Sequence, residues 1–297
     1  MFDLFEKWDG TPKPGDSSSS QSSSNSSSSS AYDPYSTLPG GGSSSTSVYS
    51  STSSSSSGRT FVLSVGGSVF FNEKFRASEI AKFCEIINEL KREGNSFVLV
   101  VGGGRVARVY QAGAKALGAN NFDLDEIGIA ICKANALLFT QIIEGAWKEV
   151  LSDVKQSENV LLLGKTPVYG GTVPGQTTDA VAAIIAELLG AEFVNLSNVD
   201  GIYSADPAKE PGAKMYKELS HTKMVSLLKA QASKPGGHSF VDAHAAAILT
   251  RSKIKSCFIN GNDLENFKAV IRGQEFRGTI VRTESAAMVL EDEEEKD

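Results

Sequence analysis

The sequence predicts an α/β protein in which helices cover both faces of a mainly parallel sheet, a three-layer α/β/α sandwich. Short, continuously apolar runs such as Thr60–Val65 and Phe97–Val101 are typical of strands that are buried on both faces. Segments with a helical spacing of apolar residues alternate with these runs along the chain. This alternation favours a parallel sheet, and the ligands of such sheets bind at the carboxyl ends of the strands.

The order of the elements can be predicted from Thr60 onward. The first half contains a strand, a helix that stops at glycine, a second strand, a helix and a long helical region: Thr60–Val65, Ser78–Gly94, Phe97–Val101, Arg105–Leu117 and Asp125–Glu149. The second half is predicted as a pair of strands over 160–169, a helix from Thr177, the strand Glu192–Leu196 and the turn-rich segment Asn198–Pro207. Helices near 221–231 and 240–251 follow, then the strand Ser256–Asn260, the helix Leu264–Ile271 and a last strand over Gly278–Val281.

Composition divides the chain into three parts. Residues 17–57 hold 24 serines in 41 positions and almost nothing that could be buried, so residues 1–57 are predicted to be a disordered extension. Residues 58–283 are predicted to form one folded domain. Residues 284–297 are predicted to be a disordered acidic tail.

Charge and cysteine usage exclude several classes of function. Residues 291–297 contribute −5 of the formal net charge of −6, so the folded part is nearly neutral and has no general basic surface for nucleic acid. Cys84, Cys132 and Cys257 lack CxxC spacing, and the three histidines offer no i,i+4 pair, so we expect neither disulfides nor a metal site of the protein's own ligands. No membrane span or secretory signal is apparent, and we expect a cytoplasmic protein without a membrane partner.

Two glycine-rich turns follow the first two predicted strands, at Gly66–Ser68 and Gly102–Gly104. Backbone N–H groups in such loops can contact phosphate oxygens, although the first loop taken alone favours a tight turn between strand and helix. If phosphate approach is the reason for the glycines, Gly67→Val or Gly103→Val removes activity and hardly changes the melting temperature. Neither loop has the spacing of a dinucleotide fingerprint or of a Walker A loop.

The loop from Thr172 to Asp179 is the most informative stretch, because it leads from two glycines into an apolar helix. Hydroxyl groups and free backbone N–H groups at a helix N-terminus favour an anion. Asp179, in the first turn of that helix, is either a cap or a group that orients metal-bound phosphate. In the later turn, Tyr203 and Asp206 suit an adenine and a ribose, or else form an ordinary hairpin with a packed tyrosine.

Five separated motifs carry a family resemblance: VGGS, VGGGRVAR, GIAICKANALL, GGTVPGQTTDAVAA and SNVDGIYSADP. They occur in the order and spacing of the amino acid kinase family, and residues 60–281 resemble its UMP kinases, most of all the archaeal type. The resemblance implies the three-layer fold and transfer of the γ-phosphoryl group of ATP, with Mg²⁺, to UMP, which gives UDP and ADP in pyrimidine nucleotide biosynthesis. It also implies a homo-oligomer, a hexamer by analogy with the family.

The resemblance further implies roles for individual residues. It assigns to the ATP phosphates Gly67, Ser68, Gly104 and Arg108, and to the adenosine end Ser197, Asn198, Tyr203 and Asp206. It assigns to UMP Gly103, Asp125, Thr172, Val173, Pro174, Gly175, Gln176, Thr177 and Thr178. Asp179 matches the family aspartate that organises the catalytic groups.

One departure concerns the cation that faces the transferred phosphoryl group. Many bacterial relatives have a lysine just before the first glycine loop, where this chain, like the archaeal type, has Ser64 and Val65. Mg²⁺ and another cation must then serve, and Lys133, Lys165 and Lys234 are the candidates.

Two other functions stay open at this stage. A sibling kinase could phosphorylate carbamate, an acyl amino acid or isopentenyl phosphate, and a protein of the same fold could bind nucleotides without catalysis. The loop over 172–178 and Asp125 favour a nucleotide acceptor, because they offer hydroxyl groups and a carboxylate to a base and a ribose. The missing fingerprint argues against a nicotinamide dehydrogenase.

Overall fold

The structure is a computed structural model that describes residues 58–72, 75–232 and 240–283. These residues all belong to the compact unit Ser53–Asp297. The predicted extension over 1–57, the acidic tail over 284–297 and the candidate Lys234 lie outside the described residues.

One sheet of seven strands forms the centre of the described part. In chain order the strands are β1 (Thr60–Val65), β2 (Ser96–Val101), β3 (Val168–Tyr169), β4 (Glu192–Ser197), β5 (Glu218–Ser220), β6 (Ser256–Asn260) and β7 (Thr279–Arg282). Their order across the sheet is β3-β2-β1-β4-β6-β7-β5. Neighbouring strands are parallel except for β6 and β7, so the prediction of a mainly parallel sheet is confirmed.

Helices cover both faces of this sheet. They are α1 (Gly67–Phe70), α2 (Ala77–Arg92), α3 (Gly104–Ala116), α4 (Asn121–Ile142), α5 (Gln156–Leu162), α6 (Thr178–Leu189), α7 (His221–Ala232), α8 (Ala243–Arg251) and α9 (Leu264–Arg272). Alternate side chains of β1 enter two separate cores, because successive residues of a strand point to opposite faces. Phe61 and Leu63 pack with α2, α4 and α9, whereas Val62 packs with α5 to α8. The three predicted layers are therefore present.

Three details of the sequence prediction are wrong or incomplete. The predicted pair of strands over 160–169 is instead α5 followed by the two-residue strand β3, because a short apolar run does not distinguish a strand from a helix. The long helix starts at Asn121, where Asn120 and Asp123 form a capping box, and ends at Ile142 rather than near Glu149. The three-residue strand β5 and the single turn α1 were too short for a periodic pattern to show.

None of the described helices combines the length with the apolar character that a bilayer crossing needs.

Candidate active site

The carboxyl ends of β3, β2, β1 and β4 follow one another along a single edge of the sheet. The glycines at 170–171 follow β3, those at 102–104 follow β2, those at 66–67 follow β1, and Ser197 ends β4. Four of the five motifs therefore meet at one edge, as parallel strands require, and the fifth lies in α4.

The two glycine loops after β1 and β2 pack directly against each other. A Cβ atom on Gly67 would lie 2.1 Å from the backbone nitrogen of Gly104, and one on Gly104 would lie 2.5 Å from the carbonyl oxygen of Gly67. Gly104 also has a φ of +64°, a left-handed conformation that side chains disfavour. The backbone N–H of Gly102 donates to the carbonyl of Val65 at 2.9 Å, which extends the β1–β2 ladder into the loops. Glycine is therefore required here by the contact between the loops, whatever ligand they bind.

A buried asparagine that sequence reasoning missed holds the second loop. The Nδ2 group of Asn135, on α4, donates to the carbonyl oxygens of Gly102 at 2.9 Å and of Gly103 at 3.3 Å. Asn135 is buried, so its amide needs these partners. The available signal in the sequence was an asparagine inside the otherwise largely apolar second half of α4.

The predicted acceptor loop over 172–178 meets Asp125, as the resemblance implied. The backbone N–H of Gly175 donates to Oδ2 of Asp125 at 2.8 Å, although the two residues are 50 positions apart. Gly175 has a φ of +83°, which suits glycine at this turn. The loop ends at Thr177, whose Oγ1 accepts from the backbone N–H of Ala180 at 3.0 Å and so caps α6.

Asp179 is therefore not the cap of α6, and its carboxylate has other partners. Oδ1 of Asp179 accepts a hydrogen bond from the hydroxyl of Ser64 at 2.5 Å and another from Nδ2 of Asn195 at 3.0 Å. The pKa of Asp179 is raised from 3.8 to about 6, mainly by burial; the nearby carboxylate of Asp242 also raises it, while the two hydrogen bonds lower it. With a pKa of about 6, the carboxyl group of Asp179 is largely ionised at neutral pH and becomes protonated in mildly acidic solution.

Asp242 is a second carboxylate that the sequence analysis did not single out. It caps α8, because its Oδ1 accepts from the backbone N–H groups of His244 and Ala245 at 2.8 and 3.0 Å. Its Oδ2 accepts from the hydroxyl of Thr177 at 2.5 Å, which ties the start of α8 to the start of α6. The signal in the sequence was an ordinary one, an aspartate just before an alanine-rich helical run.

A cavity of about 290 Å³ opens beside the carboxyl end of β4. The four residues that the resemblance assigned to adenosine all line it: Ser197, Asn198, Tyr203 and Asp206. Phe240 and Pro207 add apolar walls, so the cavity offers flat and polar surfaces together. Its volume lies near the lower end of the range for small-molecule sites.

The turn that carries Tyr203 is fastened to the neighbouring strand. Oδ1 of Asp200 accepts from Nδ2 of Asn260 at 3.0 Å, and its Oδ2 lies 2.7 Å from the guanidinium of Arg277. These contacts join the turn after β4 to the last residue of β6 and to Arg277, just before β7, and hold one wall of the cavity in place.

The positions of the candidate cations decide which of them lie at the same sheet edge as the glycine loops. Lys133 lies beside the glycines that follow β3, where its backbone nitrogen would be 2.6 Å from a Cβ on Gly170. Lys165 precedes β3 and so lies at the opposite edge of the sheet, which removes it as a candidate. Arg108 is exposed one turn into α3, beyond Gly104. Within the described ranges, no group of three or more His, Cys, Asp and Glu side chains could hold a metal ion.

Comparison with known proteins agrees with this architecture. Residues 59–260 match the amino acid kinase family. The uridylate kinase of Archaeoglobus fulgidus is 41% identical over 221 residues, which are 74% of this chain and 98% of that protein. The uridylate kinase of Thermococcus sibiricus is 40% identical over 222 residues, again 74% of this chain and 98% of the relative.

Solved structures show the same likeness. The crystal structure of the Archaeoglobus fulgidus uridylate kinase superposes with a TM-score of 0.67 at 40% identity and covers 74% of this chain and 99% of that one. A UMP kinase from Bacillus anthracis shares the fold with a TM-score of 0.63 at 17% identity, over 76% of this chain and 96% of that one. With its motifs on one edge of a mainly parallel sheet and close relatives matched over nearly their whole length, the chain belongs to the amino acid kinase family.

Proposed function

We propose that the protein is a UMP kinase, which transfers the γ-phosphoryl group of ATP to UMP and releases ADP and UDP, a step of pyrimidine nucleotide biosynthesis. The order of features along one sheet edge carries this proposal: the acceptor loop at β3, the glycine loops at β2 and β1, and the cavity at β4. The relatives that match nearly end to end are uridylate kinases, which supports UMP as the acceptor.

The donor ATP lies across the β1 and β4 side of this edge. Its phosphates contact Gly67, Ser68 and Gly104, with Arg108 adding positive charge, and its adenosine occupies the cavity beside β4. The two glycine loops support this placement, because they lie side by side at the carboxyl ends of β1 and β2 and carry no side chains there.

UMP lies on the β3 side. Its phosphate approaches Gly103, while Asp125 and the loop over 172–178 contact the base and the ribose. The hydrogen bond from Gly175 to Asp125 supports this placement, because it draws the loop and α4 around one space.

The reaction needs placement and charge neutralisation more than covalent chemistry. An oxygen of the UMP phosphate attacks the γ-phosphorus of ATP, a new P–O bond forms, and the bond to the bridging oxygen breaks so that ADP leaves. A phosphate monoester is largely ionised at pH 7, since its second pKa is about 6, and no general base is required. Asp179 orients cations and does not take a proton.

Mg²⁺ fits this site only as an ion that arrives with ATP. The described residues offer no cage of three or more protein ligands, and Mg²⁺ is commonly held by one or two carboxylates together with substrate phosphates. Asp179, with Asp242 nearby, is the carboxylate that would meet it. The ion would neutralise charge on the phosphates, and Lys133 is the described lysine candidate at the same edge.

An acceptor panel tests the proposed function. With ATP and Mg²⁺, we expect kcat/KM for UMP to exceed the values for CMP and AMP by about 100-fold or more, because a mismatched base leaves buried polar groups unpaired. ADP release is measured with UMP, CMP, dUMP, AMP and isopentenyl phosphate, with a reaction lacking acceptor as the control. Equal rates with CMP and UMP contradict UMP specificity, a preference for isopentenyl phosphate indicates a sibling kinase, and no turnover indicates a binding protein.

We also propose that the protein is a homo-oligomer, a hexamer by family analogy, that works in the cytoplasm. The hairpin of α3 and α4 supports self-association, because α3 buries only Ala107 and apolar side chains such as Tyr110, Phe122 and Leu137 are exposed on the pair. Three free cysteines, all buried, suit a reducing compartment.

Light scattering tests the assembly. We expect the wild type to have about six times the 31.5 kDa mass of one chain and Leu137→Asp to form smaller species, because a buried carboxylate at an apolar contact is unfavourable. Leu162→Asp is the matched control, since Leu162 is a more exposed leucine on α5. A monomeric wild type, or equal masses for both variants, contradicts the proposed interface.

A further inference from the structure

Two buried polar residues lie side by side in the centre of the sheet. Ser64 of β1 and Asn195 of β4 are partners in the parallel register, and they are only 1% and 5% exposed. Both occupy positions whose neighbours two residues away, Val62 and Phe193, belong to the core beneath α6. Polar groups at such positions are unfavourable unless they find hydrogen-bond partners.

Both residues find the same partner atom. The hydroxyl of Ser64 and the Nδ2 group of Asn195 each donate to Oδ1 of Asp179. Among the described residues, no group donates a hydrogen bond to Oδ2 of Asp179. Asp179 as a residue is only half-buried, although both donors to its Oδ1 are buried, so part of its side chain is open to solvent or ligand.

The two oxygens of the Asp179 carboxylate therefore differ: Oδ1 accepts two hydrogen bonds from buried donors, and Oδ2 accepts none from the described residues. Two donors on Oδ1 fix the rotation of the carboxylate, because turning it would leave both buried donors unpaired. They also favour its ionised form against burial and against the charge of Asp242, the titratable group that faces it from α8.

We propose that Ser64 and Asn195 are positioning residues for phosphoryl transfer, which hold Oδ1 of Asp179 so that Oδ2 faces the transferred group and its accompanying cation. This inference rests on the proposed function. Ser64 and Asn195 do not touch substrate, and each acts through Asp179.

A matched pair of substitutions isolates the hydroxyl of Ser64. Threonine and valine have nearly the same shape, so both variants add the same bulk to the core. Ser64→Thr keeps the hydroxyl group, whereas Ser64→Val has a methyl group in its place. We expect Ser64→Val to lower kcat about tenfold relative to Ser64→Thr, with KM for ATP and UMP changed less than about twofold. Ser64→Ala, which adds no bulk, should show the same loss if the larger variants fold poorly.

A buried serine elsewhere in the sheet serves as the control. Ser256, in β6, is fully buried and donates its hydroxyl to the carbonyl of Ile254 at 2.9 Å. Ser256→Ala removes a comparable buried hydrogen bond away from Asp179, and we expect an unchanged kcat.

A double-mutant cycle with Asp179→Asn shows whether Ser64 acts through the carboxylate. In full-length protein, we expect Ser64→Ala to lower kcat in the wild-type background and to have no further effect once the charge of Asp179 is gone. Equal kcat for the Thr and Val variants, or losses that multiply in the double mutant, would overturn the proposal. Failure of the proposed function is a separate result, since the wild type would then form no UDP.

Discussion

Replacing Asp179 with asparagine is expected to lower kcat for UDP formation about 100-fold or more and, at neutral pH, to stabilise the fold. The loss of activity follows if Asp179 orients cations at the transferred phosphoryl group, as proposed, because the substitution removes its charge. Asparagine keeps an oxygen that can accept from Ser64 and Asn195, so the local hydrogen bonds survive. Because Thr177 caps α6, the substitution removes no cap.

The gain in stability follows from the raised pKa of Asp179. Burial is the main cause that moves this pKa from 3.8 to about 6, so the native state binds the proton more tightly than the unfolded chain does. The charged form therefore destabilises the native state above about pH 6, and this cost disappears as the pH falls toward about 4. We expect Asp179→Asn to raise the free energy of unfolding by about 1–3 kcal/mol at about pH 7.5 and by about a third of that amount at about pH 4.5.

Chemical denaturation at both pH values and kcat on the same preparation test this prediction. Asp263→Asn is the control, because Asp263 caps α9 through Asn266 and lies outside the proposed site. Normal turnover of Asp179→Asn would make the residue purely structural. An equal stability change at both pH values would show that no charge is buried there.

Gly67→Ala is expected to abolish most activity and to destabilise the protein by about 1–3 kcal/mol. The new Cβ would lie 2.1 Å from the backbone nitrogen of Gly104, and backbone cannot move aside as a flexible side chain can. The two loops must then separate, which displaces both proposed phosphate contacts at once. This contact favours a lower melting temperature, in contrast to the expectation from sequence that a larger side chain at Gly67 hardly changes it.

Gly113→Ala provides the comparison for this variant. Gly113 lies inside α3, and a Cβ there meets nothing within 4 Å. Alanine should therefore leave kcat unchanged and stabilise the helix by up to about 1 kcal/mol. A Gly67→Ala protein with normal melting temperature and normal kcat/KM would show that the loops tolerate separation and that neither one holds phosphate.

The parts of the fold that the sequence predicts are those with a local pattern. β1 and β2 are clear in the sequence, because a short, largely apolar run that ends in glycines is typical of a strand buried on both faces. The apolar run before Lys165 was predicted as a strand and is a helix, because its leucines suit either element equally. The exposure of Leu162, which distinguishes the two, depends on the folded structure and not on the local sequence.

In the candidate site, too, the sequence predicts the features with a local pattern and misses the contacts that depend on the fold. The glycine loops and the loop over 172–178 stand out in the sequence because their composition is unusual for a buried element. Ser64 and Asn195 appear there only as interruptions of apolar strands. Their meeting at one oxygen of Asp179 depends on the register of two strands that lie far apart in the chain, which no local pattern contains.

The proposed acceptor and donor sites follow one another along the sheet edge, so the acceptor side can be exchanged by protein engineering while the donor side is kept. The proposed acceptor loop leaves β3 and returns at the start of α6, so a graft from a kinase with another acceptor could replace it without touching β1 or β4. Such a graft must end at Thr178, because the next residue is fastened to both of those strands. Its loop must also keep a backbone N–H group for Asp125 of α4, which accepts the hydrogen bond from Gly175.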